Sequence, residues 1–71
     1  MDIKTYLERL KGNEYVKLFP VRGGSCELKG YVRDILSDKK SLAQIEDLTF
    51  NQEYIKKDNV RNTYRIVMFD D

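Results

Sequence analysis

The chain has 71 residues, 41% of them hydrophobic and 35% charged, which leaves room for one domain and places it in the globular range rather than the disordered one. Thirteen Lys and Arg against twelve Asp and Glu give a formal charge of +1, too little for the generic phosphate attraction behind non-specific nucleic-acid binding. With no histidine and a single cysteine, Cys26, neither an imidazole-based catalytic pair nor an internal disulfide can form.

Asp2 is placed to cap a helix over residues 3–11. Its apolar residues Ile3, Tyr6, Leu7 and Leu10 recur at the spacing of one helical face, and Gly12 sits where a C-terminal cap belongs. A helix this short is marginal alone in water, so its stripe must lie on the rest of the fold as a plug or lid. Residues 14–21 alternate, with Val16 and Leu18 on one face and Tyr15, Lys17 and Phe19 on the other. Pro20 confines the end of that strand to an edge or a bulge. Gly23 and Gly24 then reverse the chain. From Ser25 to Leu36, Cys26, Leu28, Gly30 and Val32 alternate with Glu27, Lys29, Tyr31 and Arg33, the period of a half-buried strand. An interior glycine marks a sharp bend, and a long strand bent at a glycine is how very small barrels turn their corners. Cys26 reads as a small core residue of that strand and fits a reducing cytoplasm.

Residues 37–40 read as a turn. The next ten carry two readings, because Leu42, Ala43, Ile45 and Leu48 suit helix or strand and Ser41 with Gln44 has the spacing of a capping box. The barrel hypothesis decides for a third strand over 41–50. Asn51-Gln52-Glu53 follows as a hairpin tip, then Tyr54 to Lys56, a turn at Lys57-Asp58-Asn59, and a closing strand from Thr63 to Phe69 rich in β-branched and aromatic residues. The expected fold is therefore mainly β: one small five-stranded barrel with an N-terminal α-helix over residues 1–71. No apolar run approaches the ~18 residues of a membrane span, and no basic segment followed by an apolar run opens the chain. A soluble cytoplasmic protein without a membrane partner is expected.

Chemistry is sparse. Ser25, Ser37 and Ser41 lie in or beside turns with no base near in sequence, so an enzyme is not expected. Neighbouring carboxylates in a strand point to opposite faces, so Glu46-Asp47 predicts no metal site, and the Asp70-Asp71 pair is read as solvated. Gly23-Gly24 lacks the lysine and helix start of a phosphate loop, and no cofactor is expected. The strongest candidate surface is the strand face carrying Lys29, Tyr31 and Arg33, where two cations flank a ring on which a base could stack. Its alternative is that Tyr31 belongs to the core under the helix, with Lys29 and Arg33 merely solvated. Lys56, Lys57 and Arg61 form a second basic cluster around the late turn. Residues 1–40 hold nine basic and six acidic side chains, residues 41–71 four and six, a mild asymmetry from +3 to −2.

The order of parts resembles the Sm-like and Src-homology-type small barrels. Leu7-Glu8-Arg9-Leu10-Lys11-Gly12, Val16-Lys17-Leu18, Gly24 six residues before Gly30, and Asn59-Val60-Arg61 before Arg65-Ile66-Val67 look like the C-terminal domain of the bacterial ribosome maturation factor. Tyr6-Leu7 and Leu28-Lys29-Gly30 are similar to the Hfq-like RNA chaperones, which carry a Tyr-Lys-His stretch where this chain has Ile55-Lys56-Lys57-Asp58. The resemblance implies a non-catalytic binding module whose partner is RNA or a ribosomal protein. The alternatives are a protein–protein adaptor, including a small phage-encoded inhibitor of a host protein, and an enzyme accessory subunit. Monomer and ring both remain open.

Overall fold

Three short helices lie on one face of a four-stranded sheet in the computed structural model, which describes residues 1–70. The elements in chain order are α1 (Ile3–Glu8), β1 (Tyr15–Pro20), β2 (Leu28–Tyr31), α2 (Val32–Ser37), α3 (Lys39–Ile45), β3 (Thr49–Lys56) and β4 (Tyr64–Asp70). The strand order is β2-β1-β4-β3: β1 pairs β2 antiparallel and β4 parallel, and β3 pairs β4 antiparallel. A parallel pair needs a long crossover, and here everything between β1 and β4 supplies it.

Alternation along the central strands separates the two faces. Val16 and Leu18 of β1 and Val67 and Phe69 of β4 are buried against Ile3, Tyr6 and Leu7 of α1, Val32 and Ile35 of α2, and Ile45 of α3. Leu10, Leu28, Leu36, Leu42, Leu48 and Phe50 pack around that cluster. Fully burying side chains such as Ile3 and Leu7 contributes roughly 1.5–3 kcal/mol each, and this is what holds a six-residue helix that could not persist alone. The Asp2 carboxylate caps α1, accepting from the Thr5 amide at 2.7 Å. Gly12 serves a close approach rather than a helix cap: a β carbon there would lie 3.2 Å from Cβ of Arg33, and its carbonyl accepts from the Arg33 amide.

The expected five-stranded barrel is not formed; the sheet is open and mixed. Two segments read as strand are helical. Gly30 does carry unusual geometry, with φ at +153°, but the bend delivers the chain from a four-residue β2 into α2 instead of around a barrel corner. Val32 and Ile35, three apart on one helical face, are both buried, which a straight strand could not achieve. Within 41–50 the local capping signal won over the barrel hypothesis. Asp38, not Ser41, is the cap, and its carboxylate accepts from the Ser41 amide at 3.2 Å and hydroxyl at 2.8 Å. Asn51 to Glu53 is no hairpin tip either, since β3 runs through it with a bulge between Phe50 and Gln52. Pro20 ends a central strand, not an edge strand. Cys26 is half-buried outside the core, its thiol donating to the Leu28 carbonyl at 3.3 Å. Gly23 and Gly24, both at positive φ, do reverse the chain. Asp71, half of the terminal carboxylate pair, lies outside the described residues. Among the described residues no helix is long and apolar enough to cross a membrane.

Candidate functional site

The sheet face turned away from the helices is the candidate site, and its residues fall into rows fixed by the strand registers. Tyr31 faces Tyr15, and one step before the Val16–Arg65 pair Tyr15 neighbours Tyr64, which faces Lys56. The first row across all four strands is therefore Tyr31, Tyr15, Tyr64 and Lys56. The second is Lys29, Lys17, Ile66 and Tyr54, from the pairs Lys17–Lys29, Lys17–Ile66 and Tyr54–Ile66. The third holds Phe19, Met68 and Gln52. Neither of the first two rows contains a carboxylate. Asp70 belongs to the opposite end of this face, where its carboxylate accepts from the Asn51 side-chain amide at 2.7 Å, and Glu27 lines a cleft with Pro20, Leu48 and Phe69 on the helix side. Glu14 and Glu53 alternate onto the helix face, where both pair with Arg65 at 3.0 Å.

The rings and cations of this face already touch. Tyr15 and Tyr31 meet edge to face with centroids 5.2 Å apart. Lys17 Nζ sits 4.5 Å from the Tyr64 centroid, Arg33 Cζ 5.6 Å from that of Tyr31, and Arg61 Cζ 3.8 Å from that of Tyr15. Arg61 is brought there by the β3–β4 loop. Asp58 organises that loop by accepting from the Val60 and Arg61 amides at 2.9 and 2.5 Å, and Asn62 tolerates the left-handed φ of 68° that completes it. Those hydrogen bonds, led by the one from the Arg61 amide, hold the Asp58 carboxyl below the ordinary carboxylate range. Arg61 Nη1 also pairs with Asp58 at 3.3 Å, whereas its Nε is buried without a hydrogen-bond partner among the described residues. Between this loop and the first row lies an open cleft of about 620 Å³, lined by Tyr15, Tyr31, Val60, Arg61, Thr63 and Tyr64 among others.

Of the residues singled out in the sequence, Lys29, Tyr31 and Lys56 lie on this face, and Arg33 reaches it from α2 by covering the Tyr31 ring. Tyr31 is 36% exposed and not a core residue under the helix. Arg61 reaches the face through Tyr15. Lys57 is exposed in the loop, outside both rows. Tyr15, Lys17, Tyr54 and Tyr64 were not singled out as site residues. Alternation had put Tyr15, Lys17 and Phe19 opposite Val16 and Leu18, but only the parallel pairing of β1 with β4, distant in sequence, sets Tyr64 beside Tyr15. Among the described residues no group of three or more His, Cys, Asp or Glu is arranged to hold a metal ion.

Comparison of the chain with family models, curated proteins and solved structures finds no match. The open face and its geometry therefore carry the functional argument alone.

Proposed function

We propose that the chain is a non-catalytic binding module for single-stranded RNA, which lies across the open sheet face. The observation that carries this reading is the first row: three tyrosines on three adjacent strands, bordered by Lys56, with Lys29 and Lys17 one row behind and no carboxylate between them. Rings on a sheet take the π-face of any base, and neighbouring cations take the phosphates. A net charge of +1 is no obstacle where cations cluster on one half of one face, and Glu14, which also lines the cleft, and Glu53 are both held in ion pairs with Arg65. In the free chain Lys17, Arg33 and Arg61 rest on the rings. A base that takes over a ring releases its cation toward the adjoining phosphate, so stacking and charge neutralisation occur together. The lone cysteine, with no disulfide partner in the sequence, suits a cytoplasmic setting, and ribosomal RNA is one RNA of the required class.

Fluorescence anisotropy with a labelled single-stranded RNA of roughly 12 nucleotides tests the reading. Tyr31→Ala and Lys29→Ala are expected to weaken binding, and a duplex of the same length to bind less well, because its bases are not free to stack. Absence of binding at low salt, or equal binding by the duplex, would refute the proposal. The second reading, a protein–protein adaptor, is favoured by one observation: Phe19, Ile66 and Met68 form a half-buried apolar centre on the same face. Under that reading Met68→Lys would abolish capture of a protein partner, and single-stranded RNA would not compete for the face.

A further inference from the structure

The outer edge of β3 is open along most of its length. The chain covers only its first residues: Asp2 bridges to Thr49, and the Phe50 amide donates to the Met1 carbonyl at 2.9 Å. From Asn51 to Lys56 every residue is exposed, and alternate backbone N–H and C=O groups point outward with no strand beside them among the described residues. This stretch also carries two of the most exposed large apolar side chains, Ile55 at 62% and Tyr54 at 48%. The opposite edge, β2, offers only four residues and runs through Gly30 straight into α2.

We propose that the β3 edge pairs with the β3 edge of a second copy of this chain, antiparallel about a two-fold axis through Ile55. The register follows from charge. Centring the pair on Glu53 would set Glu53 against itself, and centring it on Tyr54 would give Glu53 only Ile55 and Lys57 only Asn51 as partners. Centred on Ile55, the pairing sets Ile55 against Ile55, Tyr54 against Lys56, and Glu53, which also accepts from Arg65, against Lys57 just beyond the end of β3, each mixed pair occurring twice. Those are an apolar contact, a cation on a ring and an ion pair, each of the kind that stabilises facing strands. Lysines on an edge ordinarily discourage pairing. Here Lys56 and Lys57 would reject other strands and find their complements only in this one. Because the contact is self-complementary it closes as a dimer and does not propagate.

Joining the edges makes one eight-stranded sheet. On the open face, Lys56 at the end of one first row would lie beside Tyr54 of the second copy, which begins the row leading to that copy's Ile66, Lys17 and Lys29. A pairing of about five residues a side is below the size of a standard interface, so the dimer is weak and depends on concentration.

Sedimentation equilibrium without RNA tests this independently of any RNA binding. The mass is expected to rise from one chain toward two with concentration. Glu53→Lys alone and Lys57→Glu alone should each weaken the dimer at least about tenfold, and the double exchange should restore it. Ile55→Lys should leave the circular dichroism spectrum unchanged and abolish dimerisation. In a Cys26→Ser background, Ile55→Cys should cross-link under mild oxidation and Gln52→Cys should not. A protein that stays monomeric to about 1 mM, or a dimer indifferent to the charge exchange, would overturn the proposal.

Discussion

Nζ of Lys17 rests 4.5 Å from the centroid of the Tyr64 ring, although the two residues are joined only through the parallel pairing of the first and last strands. The contact places a cation and a stacking ring within one strand spacing, so the two can be separated by mutation. Lys17→Gln should weaken single-stranded RNA binding and reduce the slope of log K against log salt by about one unit. Tyr64→Leu should cost roughly 1–3 kcal/mol of binding and leave that slope unchanged, because stacking releases no counterion. Anisotropy titrations over a KCl series read both quantities. Equal slopes for Lys17→Gln and the unaltered protein would remove Lys17 from the phosphate contacts.

Gly30 supports the turn from β2 into α2. Its φ of +153° is one that side-chain-bearing residues rarely adopt, and a β carbon would also meet Ile35 Cγ1 at 3.7 Å. That distance is an ordinary contact, so strain in the backbone decides the effect. Gly30→Val should destabilise the fold by roughly 1–3 kcal/mol in urea unfolding monitored by circular dichroism. An unchanged midpoint would mean that the turn relaxes at no cost.

The parts of the fold legible in the sequence were those set by neighbouring residues: the stripe of α1, the alternation of β1, the glycine reversal and the bend at Gly30. The alternation of β2 does not continue past that bend, because α2 begins at Val32. Val32 fits the strand pattern but Ile35 does not, and the Ser41–Gln44 spacing is a helix signal that the barrel hypothesis overrode, although the cap itself is Asp38. The same division holds for the site. Lys29 and Tyr31 could be read from one strand, whereas the row that includes Tyr15 and Tyr64 exists only because strands 49 residues apart run side by side. Sequence spacing carries no signal for that pairing.

Tyr6 lies in the core, stacked on Phe50 with ring centroids 4.5 Å apart, and its hydroxyl is buried with no hydrogen-bond partner among the described residues. A buried hydroxyl left unpaired costs roughly 1–3 kcal/mol, while the ring supplies the packing. Tyr6→Phe should therefore be neutral or raise stability by about 1 kcal/mol, and Tyr6→Ala should lower it by roughly 3–5 kcal/mol. Chemical denaturation of both variants distinguishes the contributions. A Tyr6→Phe protein less stable by 1 kcal/mol or more would show that the hydroxyl has a stabilising partner.

Three carboxylates tie the acid stability of the fold to its turns. Hydrogen bonds from the Thr5 side chain and amide hold Asp2 below its ordinary range, those from the Ser41 hydroxyl and amide do so for Asp38, and those led by the Arg61 amide do so for Asp58. A carboxyl whose folded pKa is depressed contributes stability that is present above its unfolded value of 3.8 and is lost as pH falls through the folded value. Tm should accordingly be flat from neutral pH to about 5 and decline below about 4. Asp38→Asn keeps an acceptor for the Ser41 amide but removes the charge. Its Tm should lie below that of the unaltered protein at pH 7, and the two should converge as pH falls through the depressed folded value of Asp38. A constant gap in Tm across that range would show that the charge of Asp38 contributes nothing, and that shape alone accounts for its role as the cap of α3.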